Sequence, residues 1–293
     1  MMRKILGLLF LLFLLFVPPC LAEEELYFYH LEEEALLRIN DFRALLPGME
    51  EKSPCLTTSQ WSPLELSEPL NLAAQEFLRR AVEEMAFSHV LPDGSYPKSR
   101  VEEQGYAALF VGESLAYLGF ENYLPPEKAL EIVLNWLLEN APQQQVPESA
   151  PFVFPAYRDF GMAMAGVTIS IEDRIYNFYL FCFLFAVPLE EEGEFILGRF
   201  YDDRDQNGLP TPEEGLAGVR VFFSPLEGGE SAETCTLADG SFFLPVSSPG
   251  LLDLGSLEEE PFLPRLEIFS PQPLFVRAPA PKLWLNLTNG GQN

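Results

Sequence analysis

Arg174 to Ala186 is the stretch that most restricts the fold. Phe178, Leu180, Phe181, Phe183, Leu184 and Phe185 fall on both sides of an extended strand, so polar alternation is missing. A strand without a solvent side must be covered on both faces. Met162 to Ile171 lies just upstream and reads as its hairpin partner. Helices must then supply the cover. Leu70 to Met85 is one, with Ala73, Ala74, Phe77, Leu78, Ala81, Val82 and Met85 recurring at three- and four-residue steps. Leu31 to Leu46 is a second, with Leu36, Leu37, Ile39 and Phe42 as its apolar stripe. A third opens at Pro125-Pro126-Glu127, where the missing proline N–H costs nothing, and Ile132, Val133 and Trp136 read as its buried side. Residues 47 to 68 are rich in Pro, Ser and Thr and read as a long loop. The pattern predicts an α/β/α sandwich over residues 26–188.

Pro188 to Glu194 breaks this texture, with 189–194 as a linker. Beyond it the expected strands are short: Phe195–Tyr201, Val219–Ser224, Glu233–Leu237, Ser241–Val246, Leu266–Phe269, Leu274–Arg277 and Leu283–Leu287. Their spacing, with Gly-, Asn- and Pro-rich turns between, predicts an antiparallel β-sandwich over residues 195–293. Asp239-Gly240 between Leu237 and Phe242 reads as a hairpin turn. The whole is an α+β chain of two domains.

Residues 1–22 read as a secretory signal peptide. Arg3 and Lys4 precede an apolar run from Ile5 to Val17, then Pro18-Pro19, then Cys20-Leu21-Ala22 before the expected cut. The run is 13 residues, short of the roughly 20 that a spanning helix needs. The expected product is secreted, periplasmic or extracellular, with no transmembrane anchor after signal cleavage. Its formal net charge of −26 repels phosphate backbones, so nucleic acid is excluded as a partner class, while divalent cations suit it. Removal of Cys20 leaves Cys55, Cys182 and Cys235, enough for at most one internal bridge. A Cys55–Cys182 bridge and three independent thiols both stay open.

Several strings occur in fixed order in the first domain. They are Leu37-Arg-Ile-Asn-Asp-Phe-Arg43, Met85-Ala-Phe-Ser-His-Val-Leu-Pro-Asp-Gly94, Gly105-Tyr106 with Gly112-Glu113-Ser114-Leu115-Ala116, Trp136-Leu-Leu-Glu139 and Phe160-Gly-Met-Ala-Met-Ala-Gly166. Over residues 31 to 186 this order resembles the CAP superfamily of SCP-like extracellular domains, in its bacterial branch. The resemblance implies an α/β/α sandwich with an open cleft lined by two His and two Glu, which in some members holds a divalent metal such as zinc. His89 matches the first His, Glu113 the first Glu and Glu139 the second Glu. The last His has no counterpart; Pro147-Glu148 stands at its place, so Glu148 is the fourth cleft candidate. By position alone, Glu139 is three residues after Trp136 and seven after Ile132, which puts it on the predicted apolar stripe. A carboxylate there needs a partner. One imidazole with carboxylates holds zinc weakly. The competing reading is that His89 and Glu113 form a structural hydrogen bond and Glu139 is a helix-end charge.

In the second domain, Asp203-Arg-Asp205-Gln-Asn207-Gly208-Leu-Pro-Thr-Pro-Glu-Glu214 fits the calcium-loop pattern D-x-[DN]-x-[DN]-G-x5-E. Oxygen ligands from Asp203, Asp205 and Asn207, the Leu209 carbonyl and bidentate Glu214 would surround one cation. Pro210 and Pro212 exclude a following helix, so the loop joins strands. Together with Gly215-Leu-Ala-Gly-Val-Arg-Val-Phe222 and Ala238-Asp-Gly-Ser-Phe-Phe243, it resembles SdrD B-like or prealbumin-like β-sandwich modules over residues 195 to 246. The competing reading of the loop is an Asx-rich turn without metal.

No Ser or Cys lies near a His in a nucleophile spacing, so no catalytic residue is assigned. The expectation is a secreted binding protein whose cleft takes a small apolar ligand, a peptide or a glycan. A metal-dependent hydrolase of the cell envelope and a purely structural envelope protein are the alternatives.

Overall fold

The computed structural model describes residues 27–48, 61–120, 123–171, 174–189, 195–226, 228–246, 248–255, 266–268 and 273–277. The expected signal peptide, most of the 47–68 loop, the linker after 189 and the Leu283–Leu287 strand lie outside them. The described chain is mixed α and β, with sheets that are mainly antiparallel.

The all-apolar stretch is β5 (Arg174–Pro188), and it pairs antiparallel with β4 (Asp159–Ile171) from Asp159 opposite Ala186 to Ile171 opposite Arg174. β1 (Tyr27–Tyr29) adds to β4, and β2 (Glu65–Leu66) pairs with β4 in parallel. The other edge is β3 (Ala108–Phe120), antiparallel to β5, which gives the order β1-β4-β5-β3. β3 has no counterpart among the expected strands, because Gly112-Glu113-Ser114 interrupts its apolar pattern.

Both faces of this sheet are covered. On one, Ala163, Ala165, Leu180, Cys182 and Leu184 pack under α2 (Glu68–Glu83) through Leu70, Ala73, Ala74, Phe77 and Leu78. Gly161 lets α2 settle onto β4, since a Cβ there would lie 2.4 Å from the Leu70 Cβ. The Asn71 side chain then accepts the Met162 N–H at 2.9 Å. The short α3 (Pro97–Glu103) lies beside α2, and its Val101 joins the same core. On the other face, Met162, Met164, Phe181, Phe183 and Phe185 meet α1 (Glu32–Arg43), α4 (Pro126–Asn140) and the 3-10 turn Pro147–Val153.

Two stripes need correction. In α4 the buried residues are Ala129, Leu130, Val133, Leu134 and Leu137, while Ile132 and Trp136 are about two-fifths exposed at 40% and 43%. The helix offers two apolar rows, and the wider one wins the core. In α1, Leu37 is exposed, and Ala35, Ile39 and Arg43 are buried. Arg43 donates to the carbonyls of Phe152, Phe154, Ser62 and Tyr157 at 3.0–3.4 Å, tying α1 to the segments beneath it. Burial pushes its guanidinium down to about 9.

After residue 195 two small sheets face one another. One has the order β11-β10-β7-β8, built from β7 (Arg220–Pro225), β8 (Ala232–Cys235), β10 (Gly250–Gly255) and β11 (Leu266–Ile268). The other is β12-β6-β9, from β6 (Phe195–Tyr201), β9 (Ser241–Pro245) and β12 (Pro273–Arg277). Ile196, Phe200, Val221, Phe223, Phe242, Leu244, Leu252 and Leu254 fill the space between them. β12 runs parallel to β6, so the expectation of a wholly antiparallel arrangement is corrected. The Asp239-Gly240 turn forms, with Gly240 at φ 79° and its N–H on the Leu237 carbonyl, but it joins no hairpin. β8 pairs with β7 and β9 with β6, so the turn carries the chain from one sheet to the other.

The two units share a core. Phe195, Leu197, Leu237 and Ala238 are buried with the aromatic layer of the first unit, and Phe243 meets the Phe154 ring edge-on. The Ala238 N–H donates to the Gln144 side chain at 2.8 Å. Arg199, ion-paired to buried Asp239 at 2.6 Å, lies over the Phe110 ring. Cys182 is a free, buried thiol, which removes the Cys55–Cys182 pairing; Cys235 is in a disulfide whose partner lies outside the described residues. Among the described residues no helix is long and apolar enough to cross a membrane.

Candidate functional site

His89 follows the end of α2, where Met85 takes a positive φ of 51° and turns the chain back toward the sheet. Its imidazole is buried at 4% exposure. Nδ1 lies 2.8 Å from Glu113 Oε1, and Nε2 lies 2.9 Å from Glu148 Oε1. Three elements therefore meet here: the α2–α3 connection, the middle of β3, and the Pro147–Val153 turn.

Each carboxylate has a further anchor. Arg100 of α3 donates to Glu113 Oε2 and to the carbonyls of His89 and Ser95. Its guanidinium lies 4.6 Å from the centroid of the Phe77 ring. The Cys182 thiol also donates to Glu113 Oε2 at 3.6 Å. Glu148 Oε2 accepts the Leu115 N–H at 2.6 Å. Gly112, beside Glu113, makes room for Tyr157, whose Oη would lie 2.1 Å from a Cβ at that position.

The electrostatics follow from burial and pairing. Burial alone lowers the His89 pKa, but the Glu148 charge and hydrogen bonds to Glu113, Glu148 and Glu213 outweigh it and hold it well above the usual value. Burial would raise Glu113, and the Arg100 and His89 partners bring it below the ordinary range. Glu148 stays raised, because for it burial wins over His89. Cys182 is pushed well up by burial and by the Glu113 charge, so it is no thiolate nucleophile.

A third acid comes from the second unit. Glu213, in the 3-10 turn Pro212–Glu214, sets Oε1 3.5 Å from His89 Nε2. Burial opposes its ionisation, yet the His89 hydrogen bond and charge bring it down to about 2. Sequence reasoning missed it: nothing local marks Glu213, except that it precedes the last acid of the calcium-loop pattern. Glu139 is absent from the site. It lies on the exposed side of α4, because the Leu130–Leu134–Leu137 row took the core and turned the Ile132–Trp136–Glu139 row outward.

In the second cluster, Asp203, Asp205 and Glu214 place carboxylate oxygens within 4.8 Å of one another, as do the ligand atoms of His89, Glu148 and Glu213. The acidic loop is closed by its own bonds. Asp203 accepts the Gly208 N–H at 3.1 Å, Asp205 accepts from the Asn207 N–H and side-chain amide, and Asn207 accepts the Leu209 N–H. Glu214 accepts from Arg204 N at 2.8 Å and from Thr211 Oγ1. Gln206 and Gly208 both take positive φ, 61° and 77°. Asn207 is exposed beside Asp205, and Leu209 is half-buried in the same loop.

No family model matches the chain, and no curated protein matches it. Among solved structures it is similar to an outer surface protein from Borrelia burgdorferi, at 20% identity, covering 55% of this chain and 98% of that one, with a TM-score of 0.32. A likeness of that size carries no argument about function.

Proposed function

We propose that the chain is an exported protein of CAP (SCP-like) type, acting at or outside the bacterial cell envelope, that binds and does not cleave. Its second unit is a calcium-binding β-sandwich module of the SdrD B-like or prealbumin-like kind. The observation that carries this reading is the meeting of His89, Glu113 and Glu148, from three separate elements, with the exposed Glu213 3.5 Å from His89. Helices on both faces of the larger sheet and the two small sheets packed face to face support the same assignment. Binding is favoured over covalent hydrolysis because the thiol at the cluster, Cys182, is buried and held well above its ordinary value, and both His89 nitrogens face carboxylates rather than a nucleophile. The surroundings are charged and hydrogen-bonding, which suits a peptide or a glycan better than a small apolar ligand.

The test is fractionation with product analysis. The exported chain should begin near Glu23 by mass spectrometry, co-sediment with envelope glycan-peptide material and release no soluble fragments from it. Fragment release that stops in His89→Gln would establish a hydrolase instead. An intact Met1 on exported protein would remove the signal peptide, and failure to sediment would leave a scaffold.

A further inference from the structure

β3 is an edge of the larger sheet. The order runs β1-β4-β5-β3, and no strand of the described residues lies beyond it. An antiparallel strand turns its N–H and C=O groups toward the partner at one residue and away at the next. The Leu115 N–H tells which residues look outward. It donates to Glu148 Oε2 at 2.6 Å and so points away from β5. The register with β5 is regular from Phe110 to Phe120. Glu113, Leu115, Tyr117 and Gly119 therefore all turn their backbone groups to the outer edge.

Proteins ordinarily blunt such an edge with a charge, a proline or a bulge. From Leu115 to Phe120 this one reads Leu-Ala-Tyr-Leu-Gly-Phe, and every residue of that run is half-buried. Its irregularity lies at the other end, between Ala108 and Phe110. A flat, apolar, half-exposed edge is a template for another strand. Acids mark one end of the run. Glu148 joins the Leu115 N–H to His89 Nε2, and Glu213 Oε1 lies 3.5 Å from the same nitrogen with its side chain 60% exposed. The chain as a whole carries −26. These charges attract a basic partner and repel a second copy of the chain.

We propose that the β3 edge from Leu115 to Gly119 takes up an extended peptide as an added strand, with a basic residue of that peptide at the Glu148–Glu213 end. Main-chain pairing supplies the affinity, and the side chains beside it supply the preference. Tyr117 stands on one face of β3, and Leu118 and Phe120 stand on the other, so both faces of the added strand meet apolar surface. At about 3.3 Å per residue, a segment of about five residues spans the run. This rests on the binding reading above and names a peptide, not a glycan, as the ligand class.

Fluorescence anisotropy of the full chain with the labelled peptide acetyl-Lys-Val-Thr-Val-Thr-amide tests the added strand. Binding should saturate and should weaken with salt. Exchange of the peptide's Lys for Glu should weaken it about tenfold or more, and Glu213→Gln should weaken it by up to about fivefold. Two peptides N-methylated at alternate residues report the geometry on unaltered protein. One set of N–H groups faces β3 and the other faces solvent, so one peptide should bind and the other should not. Gly119→Pro removes an N–H that makes no ladder bond to β5, so the sheet should form and the peptide should be lost. Gly119→Ala brings the same Cβ 3.0 Å from Phe178 Cε1, keeps the N–H and should bind. No binding by the wild type, equal binding of the Lys and Glu peptides, both methylated peptides bound or both lost, or full binding by Gly119→Pro would each overturn the proposal. So would a dimer by light scattering that Gly119→Pro dissolves, which would seat a second copy on this edge. Envelope sedimentation without peptide binding would remove the added strand and keep the binding function; peptide binding without sedimentation would keep the edge and remove the envelope reading.

Discussion

Glu213 and Glu214 are neighbours in one three-residue turn, yet their carboxylates serve different clusters. Glu213 Oε1 reaches 3.5 Å toward His89 of the first unit, while Glu214 Oε1 accepts the Arg204 N–H at 2.8 Å inside the acidic loop. A single turn therefore sits between the two acid-rich sites of the chain.

Calcium removal should destabilise the chain. If the ion binds only the native loop, a concentration one hundred times its Kd adds about 2.7 kcal/mol. Chelation should lower the melting temperature by several degrees, and Asp205→Ala should abolish the difference between chelated and calcium-loaded protein. Superimposable melting curves with and without chelator would end the calcium assignment.

Arg43 should be among the costliest positions in the first unit. Its guanidinium is buried and donates to four backbone carbonyls on two stretches of chain, Ser62 and residues 152–157. Arg43→Met keeps much of the volume but removes that donor from the Ser62, Phe152 and Phe154 carbonyls, while Tyr157 O keeps Arg158 at 3.1 Å; a buried unsatisfied group costs about 1–3 kcal/mol. We expect a loss of about 3 kcal/mol or more in urea unfolding. A loss below about 1 kcal/mol would show that water replaces the guanidinium there.

What the sequence made legible follows its periodicities. The Met162–Ala186 hairpin and the Leu70–Met85 helix carry a single dominant pattern, and the structure has both. α4 carries two apolar rows, and only packing decides between them; the choice removed Glu139 from the site. β3 was hidden because the site itself disrupts it: Gly112 makes room for Tyr157 and Glu113 is a charge in a buried strand. Glu148 was found by its place in an order of motifs, not by any local pattern. Glu213 had no signal of its own, because its importance arises from how two units pack.

Gly112 and Tyr157 should be coupled. Gly112→Ala would place a Cβ 2.1 Å from Tyr157 Oη and 2.7 Å from its Cζ. Overpacking of this kind costs about 1–3 kcal/mol. Tyr157 Oη finds no hydrogen-bond partner among the described residues, so Tyr157→Phe should be neutral or stabilising by up to about 1 kcal/mol. The double variant should recover part of the Gly112→Ala loss, because the oxygen is gone while the ring remains. A double-mutant cycle with no coupling would show that the ring moves freely.

Asp93 gives a pH test away from the His89 cluster. Hydrogen bonds from Ser95, then the ion pair with Arg80, bring its carboxyl from 3.8 down to about 2. A carboxylate with a lowered folded pKa contributes stability that is complete above the unfolded value and fades as pH falls through the folded one. The advantage of the wild type over Asp93→Asn should thus be constant from neutral pH down to roughly pH 5. It should shrink on acidification below the ordinary value of 3.8 and be gone only below the folded value of about 2. Urea midpoints of both proteins across that range measure it. A difference that persists unchanged at the acid end would mean that the side chain acts through its shape and its Ser95 bond, and not through its charge.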